Sequence, residues 1–202
     1  YGIDGLIAVI GNRFTFIQQI ARLKPVHWLL DQFYQLISYN RKIVIPVSCS
    51  QSTSCNPSRN WAWRLLFILV CAITVNAFVN LYFQQHLSSY FIGNPIWGDS
   101  ALFTGQLLFQ SLACYLLRER NRYDYLGHLS FISSLGAIML GVFGFGLNIL
   151  HSIGLNISML EPLCYGIVFA WMFIEHRRRI KIAEMNSWLT LTWLFYRFMI
   201  YP

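Results

Sequence analysis

The chain has little charge, and acid is the scarcer sign. Charged residues fill 11% of 202 positions, with 8 Asp and Glu against 15 Lys and Arg. A soluble domain of ordinary composition carries roughly 25%. Together with 56% hydrophobic residues, this excludes an ordinary cytosolic protein and a disordered chain. Five cysteines in 202 residues are too few for a small disulfide scaffold. No Cys-x-x-Cys pair and no internal repeat is visible. Nor is a cleaved signal peptide visible, because the first long apolar run begins only after Arg64. Tyr1 rather than Met heads the sequence, so the coding sequence is expected to continue upstream.

What abounds is apolar sequence in long runs. A helix needs about 20 mostly apolar residues to cross ~30 Å of hydrocarbon. Four runs approach that length: about 65–83, 101–117, 127–150 and 157–174. Arg64 precedes the first, and Asp99 and Arg118 bracket the second. The third holds His128 at its start, and Glu175-His176-Arg177-Arg178-Arg179 closes the fourth. The expected fold is therefore all-α, an integral membrane protein with a four-helix transmembrane bundle over 61–176.

The basic residues predict its orientation. Arg13, Arg22, Lys24, Arg41, Lys42, Arg59 and Arg64 precede the first run. Arg118, Arg120 and Arg122 separate the second from the third, and Arg177, Arg178, Arg179, Lys181 and Arg197 follow the fourth. These are all 15 of the chain's basic residues, and the intervening connections 84–100 and 151–156 hold none. Lys and Arg in short loops stay cytoplasmic, so both termini are expected inside. The net charge of +7 then reads as topology signal and contact with anionic membrane lipid, not nucleic-acid binding.

Outside the runs, residues 1–46 read as soluble helix. Leu6, Val9 and Ile10 repeat at helical spacing, as do Phe16, Ile17 and Ile20. Pro25 opens a further helix carrying Trp28, Leu29, Phe33, Leu36 and Ile37. Residues 47–60 form a Ser-, Asn- and Pro-rich linker with Cys49 and Cys55, read as free thiols or as a resolving or metal-binding pair. A basic juxtamembrane segment begins the stretch 177–202. Within it, 186–201 carries Trp188, Trp193, Phe195, Tyr196 and Phe198, which predicts an interfacial helix or a truncated fifth span.

Polar residues inside the runs mark the candidate site. Asn76, Asn80 and Gln84 recur every fourth position on one helix face, and Gln106, Gln110 and Cys114 do so on the next. Counted from Arg64 and Arg118, Asn76 and Gln106 both lie roughly 18 Å from the inner edge at about 1.5 Å per residue. Hydrogen bonds between them would act as interhelical glue, about 0.6–2 kcal/mol each; the alternative is a polar cavity for a quinone head group or another ligand. Ser133, Ala137 and Gly141 give the small-residue spacing of close helix packing. Ser158 and Glu161 have capping-box spacing before Pro162, with a proton-relay role for Glu161 as the other possibility. Cys71, Cys114 and Cys164 stand alone and read as small hydrophobes. His86, His128, His151 and His176 fall at run ends, and two layers of paired histidines suit b-type haems. Such ligands sit inside a bundle and these sit at its edges, so no haem, metal or other cofactor is predicted, and no catalytic residue is assigned.

One stretch carries a family resemblance. Tyr34-Gln35-Leu36-Ile37-Ser38-Tyr39-Asn40-Arg41 resembles the Tyr-x-x-Ile-Ala-x-Asn-Arg helix that closes the thioredoxin-like domain of the DCC family of predicted thiol-disulfide oxidoreductases. Tyr1-Gly2-Ile3-Asp4-Gly5-Leu6 looks like the segment before that family's last helices. Cys55-Asn56-Pro57-Ser58-Arg59-Asn60 is similar to the junction leading some bacterial members into membrane helices. The resemblance covers about residues 1–60 and departs at the family's Asp-x-x-Cys-x-x-Cys motif, which this sequence lacks. It implies the C-terminal part of a thioredoxin-like domain fused to a membrane region, a membrane-anchored oxidoreductase in a bacterial inner membrane. The alternative is a non-catalytic accessory subunit packed among other membrane-protein subunits.

Overall fold

The computed structural model describes residues 2–11, 15–46, 60–88, 95–119 and 121–200, and among them every regular element is a helix. Helices α1 (Ile3–Gly11), α2 (Thr15–Ala21) and α3 (Lys24–Tyr39) form a small cluster around Ile3, Ile7 and Ala21. As the sequence predicts, Pro25 sits in the first turn of α3, where its missing N–H costs no helical bond. A one-turn helix α4 (Arg41–Val44) follows. The expected linker lies outside the described residues, Cys49 and Cys55 included. Its last residue, Asn60, caps the next helix by accepting from the backbone N–H groups of Ala62 (3.1 Å) and Trp63 (3.4 Å).

The bundle consists of α5 (Trp61–Tyr82, extended by a π-helical turn over Phe83–Leu87), α6 (Pro95–Leu116), α7 (Arg122–Ser152), α8 (Leu160–Ile182) and α9 (Trp188–Ile200). Two stretches are long and apolar enough to cross a membrane, Trp61–Leu87 and Arg122–Ser152. The expected second and fourth crossings fall short of that measure. In α6 the apolar part is Leu102–Leu116. In α8 the helix begins at Leu160 instead of 157, and its last two turns carry Glu175, Arg177, Arg178, Arg179 and Lys181. The stretch Leu160–Ile174 then measures about 22 Å, below the ~30 Å of a hydrocarbon core.

Helix α7 is the hub, packed most extensively on α5 and then on α8. Its small residues permit this, as the spacing of Ser133, Ala137 and Gly141 predicts. A Cβ at Gly141 would collide with the Phe78 ring of α5, and one at Gly136 with Met172 of α8. Helix α7 closes on Gly154, whose φ of +83° is the left-handed conformation that ends a helix, with Leu155 N–H bonded to Leu150 C=O (3.2 Å). Helices α6 and α8 make the same kind of closure without glycine, at Arg118 (φ 55°) and Glu184 (φ 54°).

Helix α9, expected as an interfacial helix or a truncated fifth span, packs into the bundle. It runs back along α8 and packs on both α6 and α8. Trp193, expected at headgroup level, is fully buried and stacks on Phe169 and His176. Further on, Phe198 meets the Phe169 ring. Both faces of α9 bear large apolar groups, so its sequence does not distinguish lying on a surface from filling the groove between two helices.

Candidate functional site

Polar residues occur in the bundle at three levels. At the end rich in basic residues, Asn40 is completely buried and its Nδ2 donates to Leu36 C=O (2.8 Å) and Trp63 C=O (3.1 Å), joining the end of α3 to the start of α5. The next turn, α4, inserts Ile43, which is also completely buried. Arg179 of α8 reaches across to donate to the carbonyls of Ile43 and Val44, while its Nε donates to Glu175 (2.7 Å). Its guanidinium also lies over the Phe131 ring, 4.9 Å from the centroid. Burial pushes Arg179 down from its ordinary pKa, with Glu175 opposing. Glu175 is itself held below the usual carboxylate value, chiefly by its hydrogen bond from Arg178 and further by Arg179. Nearby, Arg64 pairs with Asp124 (3.1 Å).

One level deeper, four helices share a buried hydrogen-bond network. The Tyr125 hydroxyl of α7 donates to Gln110 Oε1 of α6 (2.9 Å), and Thr192 Oγ1 of α9 lies 3.1 Å from the same oxygen. His176 Nε2 of α8 is 3.2 Å from the Tyr125 oxygen. Since the single phenolic proton points to Gln110, the bond to His176 requires the imidazole to be the donor. At the opposite end of the bundle, His86 Nδ1 contacts the Glu161 carboxylate (3.1 Å), and Tyr82 donates to Glu161 C=O (2.6 Å). Glu161 thus joins α8 to α5, and the helix starts with Met159 as its N-cap instead of Ser158.

Of the four intramembrane amides singled out in sequence, Asn76, Asn80, Gln106 and Gln110, Gln110 is the one in the Tyr125 network. Asn76 and Gln106 do not pair. Asn76 Nδ2 bonds Ala72 C=O of its own helix (3.1 Å), and both amide atoms of Gln106 are buried without a hydrogen-bond partner. Equal depth along two helices does not fix their rotation, and rotation decides which faces meet. Asn80 Oδ1 is likewise buried without a partner. Tyr125 and Thr192 were missed because each stands beside a charged or aromatic run that reads as interface. His176, singled out as a run-end histidine, was expected at the bundle's edge and is buried in the network instead. Cys71 and Cys114 are free and buried in apolar clusters, as expected of small hydrophobes. His151 is exposed, whereas His128 lies against Arg179 (3.4 Å). Among the described residues no group of three or more His, Cys, Asp or Glu side chains is arranged to hold a metal ion.

Between these levels lies a cavity of about 50 Å³, walled in part by Val79, Phe103, Ser133, Ala137 and Phe169, with Arg197 of α9 on its border. No family model, no curated protein and no solved structure matches the chain.

Proposed function

We propose that this chain is a multi-span membrane module that carries a thiol-disulfide oxidoreductase domain of the DCC type on the cytoplasmic face of a bacterial inner membrane, with both termini inside. The observation that carries the reading is the buried joint at Asn40. The stretch that resembles the closing helix of that family, Tyr34–Arg41, ends in the side chain that ties α3 to α5. A domain ending in α3 is thereby held rigidly against the bundle. The face it would cover is available, since Phe16, Trp28 and Phe33 are all more than half exposed.

The sorting of charge supports four crossings. Arg64, Asp124, Glu175 and Arg179 meet at one end of the bundle. The other end, where His86 meets Glu161 and Asn148 meets Gln85, is drawn from helices whose connections hold no Lys or Arg. In this reading α6 and α8 cross because α5 and α7 shield their shorter apolar faces, and the basic end contacts anionic lipid.

Intact mass spectrometry of the natively produced polypeptide, with thiol alkylation before and after reduction, tests the oxidoreductase part. A mass well above 23.6 kDa with two additional redox-active thiols is expected. A mass near 23.6 kDa with five thiols would leave the second reading, a non-catalytic accessory subunit of a larger membrane complex. That reading is favoured by the uncovered apolar faces of α2 and α3.

A further inference from the structure

The cavity where α9 stops has a feature that neither anchoring nor packing explains. Arg197 borders it, and the enclosed Nε of that guanidinium has no hydrogen-bond acceptor. Among the described residues no carboxylate pairs with it; its only neighbour of note is the Trp193 ring, 5.7 Å from the guanidinium carbon. A second polar group faces the same space, for Ser133 is 4% exposed, lines the cavity, and has an unpartnered Oγ. One turn along α6 from the cavity-lining Phe103, Gln106 is 2% exposed with both amide atoms unpartnered.

Arg197 as a whole is half-buried and only its Nε is enclosed. A cation held against apolar walls is nevertheless costly unless an anion shares the space, and buried polar atoms seldom go unpaired. The remaining walls, such as Val79 and Phe169, are hydrocarbon or aromatic. The site lies at mid-depth: Ser133 is 11 residues past Arg122, roughly 16 Å along α7 at about 1.5 Å per residue.

We propose that this cavity binds the head of a membrane amphiphile bearing a carboxylate, with the carboxylate on Arg197 and Ser133 and the start of the alkyl chain against the apolar walls at Phe103 and Phe169. A neutral ring such as a quinone would fill the space without balancing the charge. A cavity of about 50 Å³ takes a few waters or one small head group, since a single water needs roughly 10–15 Å³, so the three-atom carboxylate fits better than a phosphodiester. The inference rests on the bundle lying in a bilayer, and the test separates the two.

The full chain is reconstituted in phosphatidylcholine nanodiscs and titrated with radiolabelled oleate. Retention of the chain in membranes through an alkaline carbonate wash reports the membrane reading by itself. Saturable binding of one oleate per chain is expected, with methyl oleate failing to compete at tenfold excess. Arg197→Gln should weaken binding at least tenfold. Should that variant not fold, Ala137→Leu, which fills the cavity and keeps the cation, should abolish binding. Wild-type affinity in either folded variant, or equal competition by methyl oleate, decylubiquinone or dodecyl phosphate, would overturn the proposal.

Discussion

The two ends of the bundle are joined by different chemistry. At the basic end, the inner one in the proposed topology, a buried arginine, Arg179, is shared among a carboxylate and two backbone carbonyls and ties α4 to α8. At the other end a histidine and a carboxylate, His86 and Glu161, join α5 to α8 with help from a tyrosine. A permanent cation with several acceptors holds a separate segment of chain in place. The His86–Glu161 contact only ties together helices that already meet where the Phe83 ring packs edge-on against Tyr165. The inner joint should therefore carry more of the stability.

The sharpest way to break that comparison is Arg179→Met. It takes the charged donor from the Ile43 and Val44 carbonyls and leaves Glu175 to Arg178 alone, and each lost hydrogen bond to a charged group costs about 1.5–3 kcal/mol. Thermal unfolding in detergent should show a large loss, together with proteolytic release of 2–46. Glu161→Gln keeps an acceptor for His86, so the loss should be about 1 kcal/mol, the worth of a typical hydrogen bond. A larger loss from Glu161→Gln than from Arg179→Met would reverse the ranking of the two ends.

Acid should act on the inner end first. Glu175 has a depressed pKa in the folded chain, so its stabilising effect is fully present above the ordinary carboxylate value of 4.5. It is lost as pH falls through the lowered folded value. Stability against pH should therefore slope downward below about 4.5 in the wild type, and Glu175→Gln should flatten that slope while lowering the plateau.

The smallest expected effect concerns the closure of α8. Glu184 adopts a left-handed conformation, which costs roughly 1–2 kcal/mol for a residue with a Cβ. Glu184→Gly removes that strain but adds freedom to the unfolded chain. A gain below about 1 kcal/mol is expected in the same thermal assay; destabilisation would mean the Glu184 side chain holds the α8–α9 turn by some other contact.

Much of this fold is legible in the sequence because the signals are local. The uncharged run after Arg64, Pro25 at the start of α3, and the small residues of α7 all emerge where periodicity and punctuation put them. What escaped is whatever depends on rotation or distant pairing. Asn76 and Gln106 share a depth but not a face. Gln110 finds Tyr125 and Thr192, 15 and 82 residues away. Glu161 meets His86 from 75 residues away, where capping-box spacing suggested a purely local role. The return of α9 into the bundle is the largest difference, since its aromatic residues suit a water–lipid boundary and a helical groove equally well.

That return gives the described residues unequal cross-sections at the two ends of the bundle. Helix α9 has 13 residues, roughly 20 Å at about 1.5 Å per residue, and rises from the basic end only to the level of Phe169. If the described residues cross a bilayer as proposed, with the basic end cytoplasmic, five of their helices would displace lipid in the cytoplasmic leaflet and four in the other. Such a wedge relieves packing stress where the cytoplasmic leaflet is the convex, expanded one. Partitioning between small and large vesicles, with the basic end outward, would read this as enrichment on the smaller ones; an even distribution would show that the surrounding lipid absorbs the asymmetry.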